Sequence, residues 1–489
     1  MMMKLFKQLT VLCFLAALVS CAREATVFER VKQDEVKLLS FGFYEADNPG
    51  MILKDYILSN PKEGVNTIRM PEAVDKSHLI ARFTASNGNV VKVNNALQKS
   101  GETQNDFSIP VDYFLSAGNN NAKYSFAIAK DFSWETFPFT YNDSASGMNL
   151  KVNPVSGEPY IMYYEKRSSS SEQGAAMVAF RDGAWAYQGR ISDGRTASNI
   201  DFTFDNAGVP YASYVDYTAT VAQANTVKKY TNGTSWELVG RKGVTTAKVT
   251  FNALTFDADA KLFLFSYLDA ADVLPRRALG VSVFDNNAWT TNGSITGRSS
   301  ALYGYLPVAK RVNNAVYVGV LNASSPNSVS VYKYENNTWT TLVEQWRDPN
   351  ATAINVRDFD MEVDQKGNVY IAFADNSSTA LYKYRVIKYD VVTKAVTPVG
   401  GYIAGASGNL FGFDLAVSPS DELFLFYKNS SNYPTVTMLD KDTKDWSLPH
   451  IVETAVGDEL NMSFAPNGDG YISYLKDFRI FIYKFTATP

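Results

Sequence analysis

The chain has 489 residues, with 46 Lys and Arg against 50 Asp and Glu, two Cys and two His. A formal charge of −4 gives no cationic footprint for nucleic acid, two Cys cannot build a disulfide framework or a Cys-rich zinc site, and two His remove most histidine-based catalytic designs. Hydrophobic residues at 46% describe a folded chain with a sizeable core, and the aromatic share of 13% is the number that needs an explanation.

Residues 1–20 read MMMKLFKQLTVLCFLAALVS. Lys4 and Lys7 form a basic start, and residues 9–19 form an apolar run of signal-peptide length, too short to span a bilayer comfortably. The run ends in Leu18-Val19-Ser20-Cys21, which resembles the bacterial lipoprotein box. The resemblance implies a lipoprotein signal peptide over 1–20, cleavage before Cys21 and thioether lipidation of Cys21. The plain alternative is a secretory peptide with an incidental Cys. Cys13 leaves with the signal, so no disulfide is possible, and the mature charge becomes 44 − 50, or −6. Lipoprotein-type modification supplies more than one acyl chain, and at about 0.8 kcal/mol per buried CH₂ two or more chains anchor stably where one does not. Residues 21–36 are polar and read as a tether. Some Bacteroidota-type lipoproteins carry an acidic run after the Cys that marks surface export; here only Glu24 is acidic near the start. The address implied is the outer membrane, lipid-anchored, with surface display expected but unmarked.

Residues 37–130 alternate short apolar runs with turn signals. Strand-like segments fall at 38–43, 66–70, 79–84, 90–93, 111–115 and 124–129, with a turn at Asn48-Pro49-Gly50. About seven strands without helical periodicity predict an Ig-like β-sandwich. The stretch QKSGET at 98–103, followed by Asp106-Phe107, resembles a pattern in N-terminal sandwich domains of Bacteroidota outer-membrane lipoproteins. That resemblance implies a spacer that lifts the next domain off the membrane. His78 reads as a surface or structural histidine.

Residues 131–489 repeat. A short pattern recurs at 149–153 (NLKVN), 201–205 (DFTFD), 253–257 (ALTFD), 305–309 (YLPVA), 360–364 (DMEVD), 414–418 (DLAVS) and 461–465 (NMSFA), spaced 52, 52, 52, 55, 54 and 47 residues apart. Each copy continues with a turn, a second aromatic strand, a variable polar loop and a third strand. Most end in an Asn/Asp/Gly turn and a Trp strand, as at Trp185, Trp236, Trp289, Trp339 and Trp446; the fifth has Val396-Thr397-Pro398 instead. Four strands at this period predict an all-β propeller of seven blades, whose faces bury aromatic residues against one another. The seventh copy stops after its third strand, and a spare Trp lies at Trp134. Residues 132–137 are therefore expected to complete the last blade and close the ring, leaving no open sheet edge. The signatures of WD and kelch propellers are absent.

Two sets of residues are candidates for function. The first is the leading residue of each repeat: Asn149, Asp201, Ala253, Tyr305, Asp360, Asp414 and Asn461. On the innermost strands these should ring the mouth of the channel, either bonding backbone groups of the adjacent blade or holding a polar ligand. Oxygen-only ligands would suit Ca²⁺ better than zinc, but no EF-hand-like spacing is present, so no cofactor is assigned. The second set sits where second strands run into loops: Tyr164, Tyr214, Asp216, Tyr267, Asp269, Asp375 and Tyr427, with Arg276 and Arg277 adding charge. Aromatic faces beside carboxylates and amides suit a sugar, whose C–H face stacks while its hydroxyls hydrogen-bond; the plain alternative is that each Tyr caps a strand. Asp358, Asp360, Glu362 and Asp364 form an acidic run, but spacing alone does not set two carboxylates at glycosidase separation. The turns only loosely resemble the sialidase Asp-box, lacking its Ser-x-Asp start, and no Ser/His/Asp set or phosphate loop can be assembled. Three functions remain open: a lipid-anchored binding protein for a glycan or glycoconjugate, a glycoside hydrolase or lyase working with Asp201, Asp360 or Asp414, and a scaffold for other envelope proteins.

Overall fold

The computed structural model describes residues 36–137, 139, 144–165, 173–323, 327–347, 356–375, 383–405, 412–440, 444–447 and 449–487, without the side chains of Ser198, Asn292, Tyr305, Val356, Arg357 and Asp375. The expected signal peptide, Cys21 and all but the last residue of the tether lie outside the described residues. The described chain is almost wholly β, with one short 3₁₀ turn at Lys76–His78, and it divides into two compact units near residue 132.

The first unit is a sandwich of two sheets. One sheet orders Tyr56–Ser59, Leu38–Phe43, Leu79–Ala85 and Gln104–Asn105; the other orders Gly64–Met70, Asn120–Lys130, Val111–Ala117, Val90–Val93 and Ala96–Leu97. Alternation sets the packing: Val111, Tyr113, Leu115 and Ala117 point inward while Phe114 stays exposed. Phe41 of one sheet stacks on Phe126 of the other, with ring centroids 3.5 Å apart and planes within 7°. Phe43, Phe107 and Tyr113 pack edge-on around them. Two departures from the sequence-based expectation are local. Tyr56–Ser59 pairs with Leu38–Phe43 although it carries no long apolar run, and Gly64–Met70 runs parallel to Asn120–Lys130, in register Gly64 to Tyr124. His78 is exposed, and its Nδ1 lies 2.5 Å from Ser77 Oγ.

The second unit contains seven four-stranded sheets among the described residues. Six run in chain order. Their first strands are Ala145–Val152, Thr196–Phe204, Val249–Phe256, Gly304–Val312, Val356–Val363 and Asp414–Val417. The seventh is built from both ends of the unit, in the order Phe132–Thr136, Arg479–Ala487, Gly470–Lys476, Asp458–Phe464. The Phe137 N–H donates to the Ile482 carbonyl at 2.9 Å, so the early segment is held as that sheet's outer strand. Each first strand packs against the first strands of the sheets on either side, and that of the seventh packs against that of the first.

The packing accounts for the aromatic content. Second strands such as Ala315–Asn322 and Leu423–Lys428 are buried at every position, as an apolar run covered on both faces must be. Between the first and second sheets lie Tyr160, Met162, Phe202 and Tyr214; between the fourth and fifth, Tyr317, Val331, Met361 and Phe373. The outer-strand tryptophans tie neighbouring sheets. Trp236 Nε1 donates to the Gln188 carbonyl (2.9 Å) and Trp289 Nε1 to the Val239 carbonyl (2.7 Å), each reaching one sheet back. Trp134 follows the same rule in the seventh sheet, stacking on His450 of the sixth at 4.2 Å.

Candidate functional site

The seven first strands surround a cavity of about 1220 Å³. Because side chains alternate along a strand, every second residue faces it. Its wall includes Asn149, Asp201, Ala253, Asp360, Asp414 and Asn461, so six of the seven repeat-leading residues come together there. Asn149, Asp201, Ala253, Asp360 and Asn461 lie in the body of their strands, not at the mouth, since those strands begin three to five residues earlier than the repeat pattern, whereas Asp414 opens its strand.

Each polar member spends one bond on the next sheet. Asp201 Oδ2 accepts the Leu254 N–H (2.7 Å), Asp360 Oδ2 the Leu415 N–H (2.8 Å) and Asp414 Oδ2 the Met462 N–H (2.6 Å). Asn149 donates to the Ile200 carbonyl (2.6 Å) and Asn461 to the Met148 carbonyl (3.2 Å). An Asp takes the N–H one residue beyond the equivalent position, whereas an Asn gives to the C=O one residue before it. These bonds satisfy inner-strand groups that no sheet partner reaches.

Residues two places away on the same strand faces complete the wall. Asp358 Oδ2 accepts the Gly412 N–H at 3.0 Å, and Glu459 Oε2 accepts the Met148 N–H at 2.8 Å. Lys151 pairs with Asp201 at 2.7 Å, and Lys310 pairs with Glu362 of the following sheet. Enclosure by the wall pushes Asp358 up to about 7, against the bonds from Gly412 and Phe359 that favour its charged form. Burial also raises Glu362 and Glu459. Asp414 is raised well above the ordinary carboxyl value by burial and then by Asp360, to which it hydrogen-bonds. Burial works to lower the Lys310 ammonium, yet Glu362, Asp360 and Asp414 hold it above its usual value. The cavity thus offers carboxylates that accept, protonated carboxyls that donate, amides that do both, and lysines. Among the described residues no three His, Cys, Asp or Glu converge as metal ligands.

The remaining candidates separate. Tyr305 does not match the other repeat leaders. In the fourth sheet the register shift falls between Tyr305 and Val308, so Tyr305 precedes it, whereas Asn149, Asp201 and Asp360 follow theirs. Its side chain lies outside the described residues, as does that of Asp375. Tyr214 and Tyr427 are not on a surface: they are 0% and 4% exposed and pack between sheets. Asp216 is buried at the end of the strand Pro210–Asp216, accepting from the Thr218 N–H (2.8 Å) and the Thr226 hydroxyl (2.9 Å). Tyr164 and Tyr267 are half-buried at the loop face, and the Tyr164 hydroxyl donates to Gln173 Oε1 at 2.7 Å. Asp269 is ion-paired to Lys248 (3.1 Å) and Arg276 (3.2 Å). Sequence reasoning missed Glu459, Lys151 and Lys310. The signal was available, because each stands two residues from a repeat leader or its structural equivalent and so shares its strand face.

No protein-family model and no curated protein matches the sequence. Solved structures do resemble the fold. A lectin from Burkholderia pseudomallei superimposes with a TM-score of 0.51 at 10% identity, over 71% of this chain and 97% of its own. An ulvan lyase, a polysaccharide lyase, gives 0.47 at 10% identity over 72% and 96%. An α-L-arabinanase from Penicillium chrysogenum gives 0.38 at 9% identity over 59% and 92%. At such identities the likeness shows the fold alone: an all-β, propeller-like architecture.

Proposed function

We propose that the protein is a cell-envelope binding protein, lipid-anchored through Cys21 to the outer membrane, whose seven-bladed propeller follows an Ig-like sandwich in the chain and takes a saccharide in its axial cavity. The observation that carries this reading is the cavity wall. Sugar hydroxyls both donate and accept, and the wall supplies both functions in one enclosed space through ionised and protonated carboxyls, Asn amides and lysines. At about 1220 Å³ the cavity exceeds the ~300–1,000 Å³ usual for a small-molecule pocket, which suits an oligosaccharide more than a single sugar. Each wall carboxylate commits one oxygen to the neighbouring sheet, which fixes the direction of the other. Titrating the full chain with a panel of oligosaccharides tests the reading. Binding should weaken at least tenfold in Asp358→Asn, which keeps the side chain's size and removes its titration; a panel without any ligand overturns it.

A second reading, glycoside cleavage, has one observation in its favour. Burial raises Asp358 to about 7, with the Asp360 carboxyl beside it, and acid paired with carboxylate is what glycosidases use. It predicts release of reducing ends, or of unsaturated ends for a lyase, from a bound polysaccharide. Binding without release leaves the binding protein as the function.

A further inference from the structure

Away from the axis, at the end of the second unit where second strands run into their loops, one arginine is held without a hydrogen-bond or carboxylate partner among the described residues. Arg277 sits in the loop between Leu262–Leu268 and Leu279–Asp285. Its backbone is pinned on both sides: its N–H donates to the Leu268 carbonyl (2.7 Å), and its carbonyl accepts the Gly304 N–H (3.0 Å) of the next sheet. The pinning holds φ at +71°, a left-handed conformation that glycine would adopt freely and arginine rarely does. The exposed guanidinium lies over the Tyr303 ring, 5.8 Å from its centroid, and acts on the Tyr267 hydroxyl nearby.

Neighbouring charges show that Arg277 is the cation left over. Lys248 and Arg276 share Asp269, and the Asp272 carboxylate accepts from the Thr246 hydroxyl. Lys248, Arg276 and Arg277 against Asp269 and Asp272 leave an excess of +1, before the charge of Arg298, which meets only neutral groups. Arg298, another arginine of this region, makes the contrast: its guanidinium is consumed by Asn322, Tyr332 and the Leu302 carbonyl. The arrangement recurs at the junction of the first and second sheets. There exposed Arg195 lies 4.9 Å from the Tyr217 ring centroid and acts on the Tyr164 hydroxyl.

From this geometry we infer a second saccharide site, distinct from the axial cavity, that takes the anionic group of an acidic sugar, a uronate carboxylate or a sulfate. Arginine's planar fork matches both groups with two parallel hydrogen bonds, and a tyrosine beside it offers its face to the sugar's C–H groups. The axial cavity is ill suited to that anion because its wall is rich in carboxyls, so the charged group belongs at the loop face. The inference deepens the saccharide reading and rests on it.

The test uses the full chain with polygalacturonate and chondroitin sulfate as carboxylate-only and sulfate-bearing probes, and with pullulan as a neutral one. The expected result is binding of at least one acidic polymer that weakens with added salt, falls at least tenfold in Arg277→Ala, and survives in Lys394→Ala, an exposed cation in a turn at the opposite end of its sheet. Thermal unfolding shows whether Arg277→Ala folds; Arg277→Gly, which relieves the backbone, serves if it does not. Pullulan bound as well as the acidic polymers, or equal losses in the Arg277 and Lys394 variants, overturns the acidic-sugar site and leaves the axial reading standing. No binding to either acidic polymer overturns the acidic-sugar site, and the axial reading then stands or falls on the oligosaccharide panel.

Discussion

At the residue scale, the wall carboxyls do two things at once. Asp201, Asp358, Asp360, Asp414 and Glu459 each accept a backbone N–H from the neighbouring sheet. Enclosure raises Asp358, Glu362, Asp414 and Glu459 above ordinary carboxyl values. The sign of the pH dependence follows. A raised carboxyl keeps its proton in the folded state where the unfolded chain has lost it, so its stabilisation is full below about pH 4 and is lost as pH rises through the folded value. For Asp358 that window runs from about 4 to about 7. The melting temperature should therefore fall between pH 5 and pH 8, and Asp358→Asn should flatten that slope. A melting temperature that rises across the same interval contradicts the assignment. Part of this set was legible beforehand, because the repeat pattern isolates Asp201, Asp360 and Asp414. Which of them would be raised was not, since that depends on enclosure and on the approach of Asp360 to Asp414 from different strands.

At the scale of the element, the outer strand of a sheet is shaped to receive the tryptophan of the next. Gly240, at φ +72°, lies against Trp289, and a Cβ there would come within 2.9 Å of Trp289 Cδ1. Gly400, at φ +63°, does the same for Trp446, with a Cβ 2.6 Å from Nε1. Gly189, at φ +90°, faces Trp236. At Gly240 and Gly400 a glycine is needed twice over, for its backbone angle and for the space, whereas at Gly189, with a Cβ 3.9 Å from Trp236 Cδ1, the angle alone requires it. Gly240→Ala should cost on the order of 1–3 kcal/mol, read as a lower denaturation midpoint, and more than Gly233→Ala, whose turn glycine meets nothing within 4 Å. Equal losses in the two variants would show that the backbone angle alone matters. The tryptophans were plain in the sequence, but their seats were not, because the glycine and its tryptophan lie about 50 residues apart. The same distance hid the fourth repeat's register. YLPVA at 305–309 fits the pattern as letters, yet Lys310, by pairing with Glu362, shows which residues of that strand face the axis.

For the whole molecule, topology decided more than composition did. The period near 51 residues, the turn chemistry and the spare Trp134 were enough to anticipate seven four-stranded sheets and an outer strand drawn from the other end of the unit. The first unit was legible in most of its strands but not in the parallel pairing of Gly64–Met70 with Asn120–Lys130, which arises from contacts distant in sequence. A repeat can mark which residues face an axis; the width of the space they surround comes only from how seven sheets pack. The central claim, that this space receives a saccharide, is tested most directly by a crystal structure of the full chain soaked with the tightest-binding oligosaccharide from the titration panel. The account predicts sugar hydroxyls within hydrogen-bond distance of Asp358 and Asp414 inside the ring of first strands. An axial cavity filled with water alone, in crystals where the ligand is bound elsewhere, would contradict it.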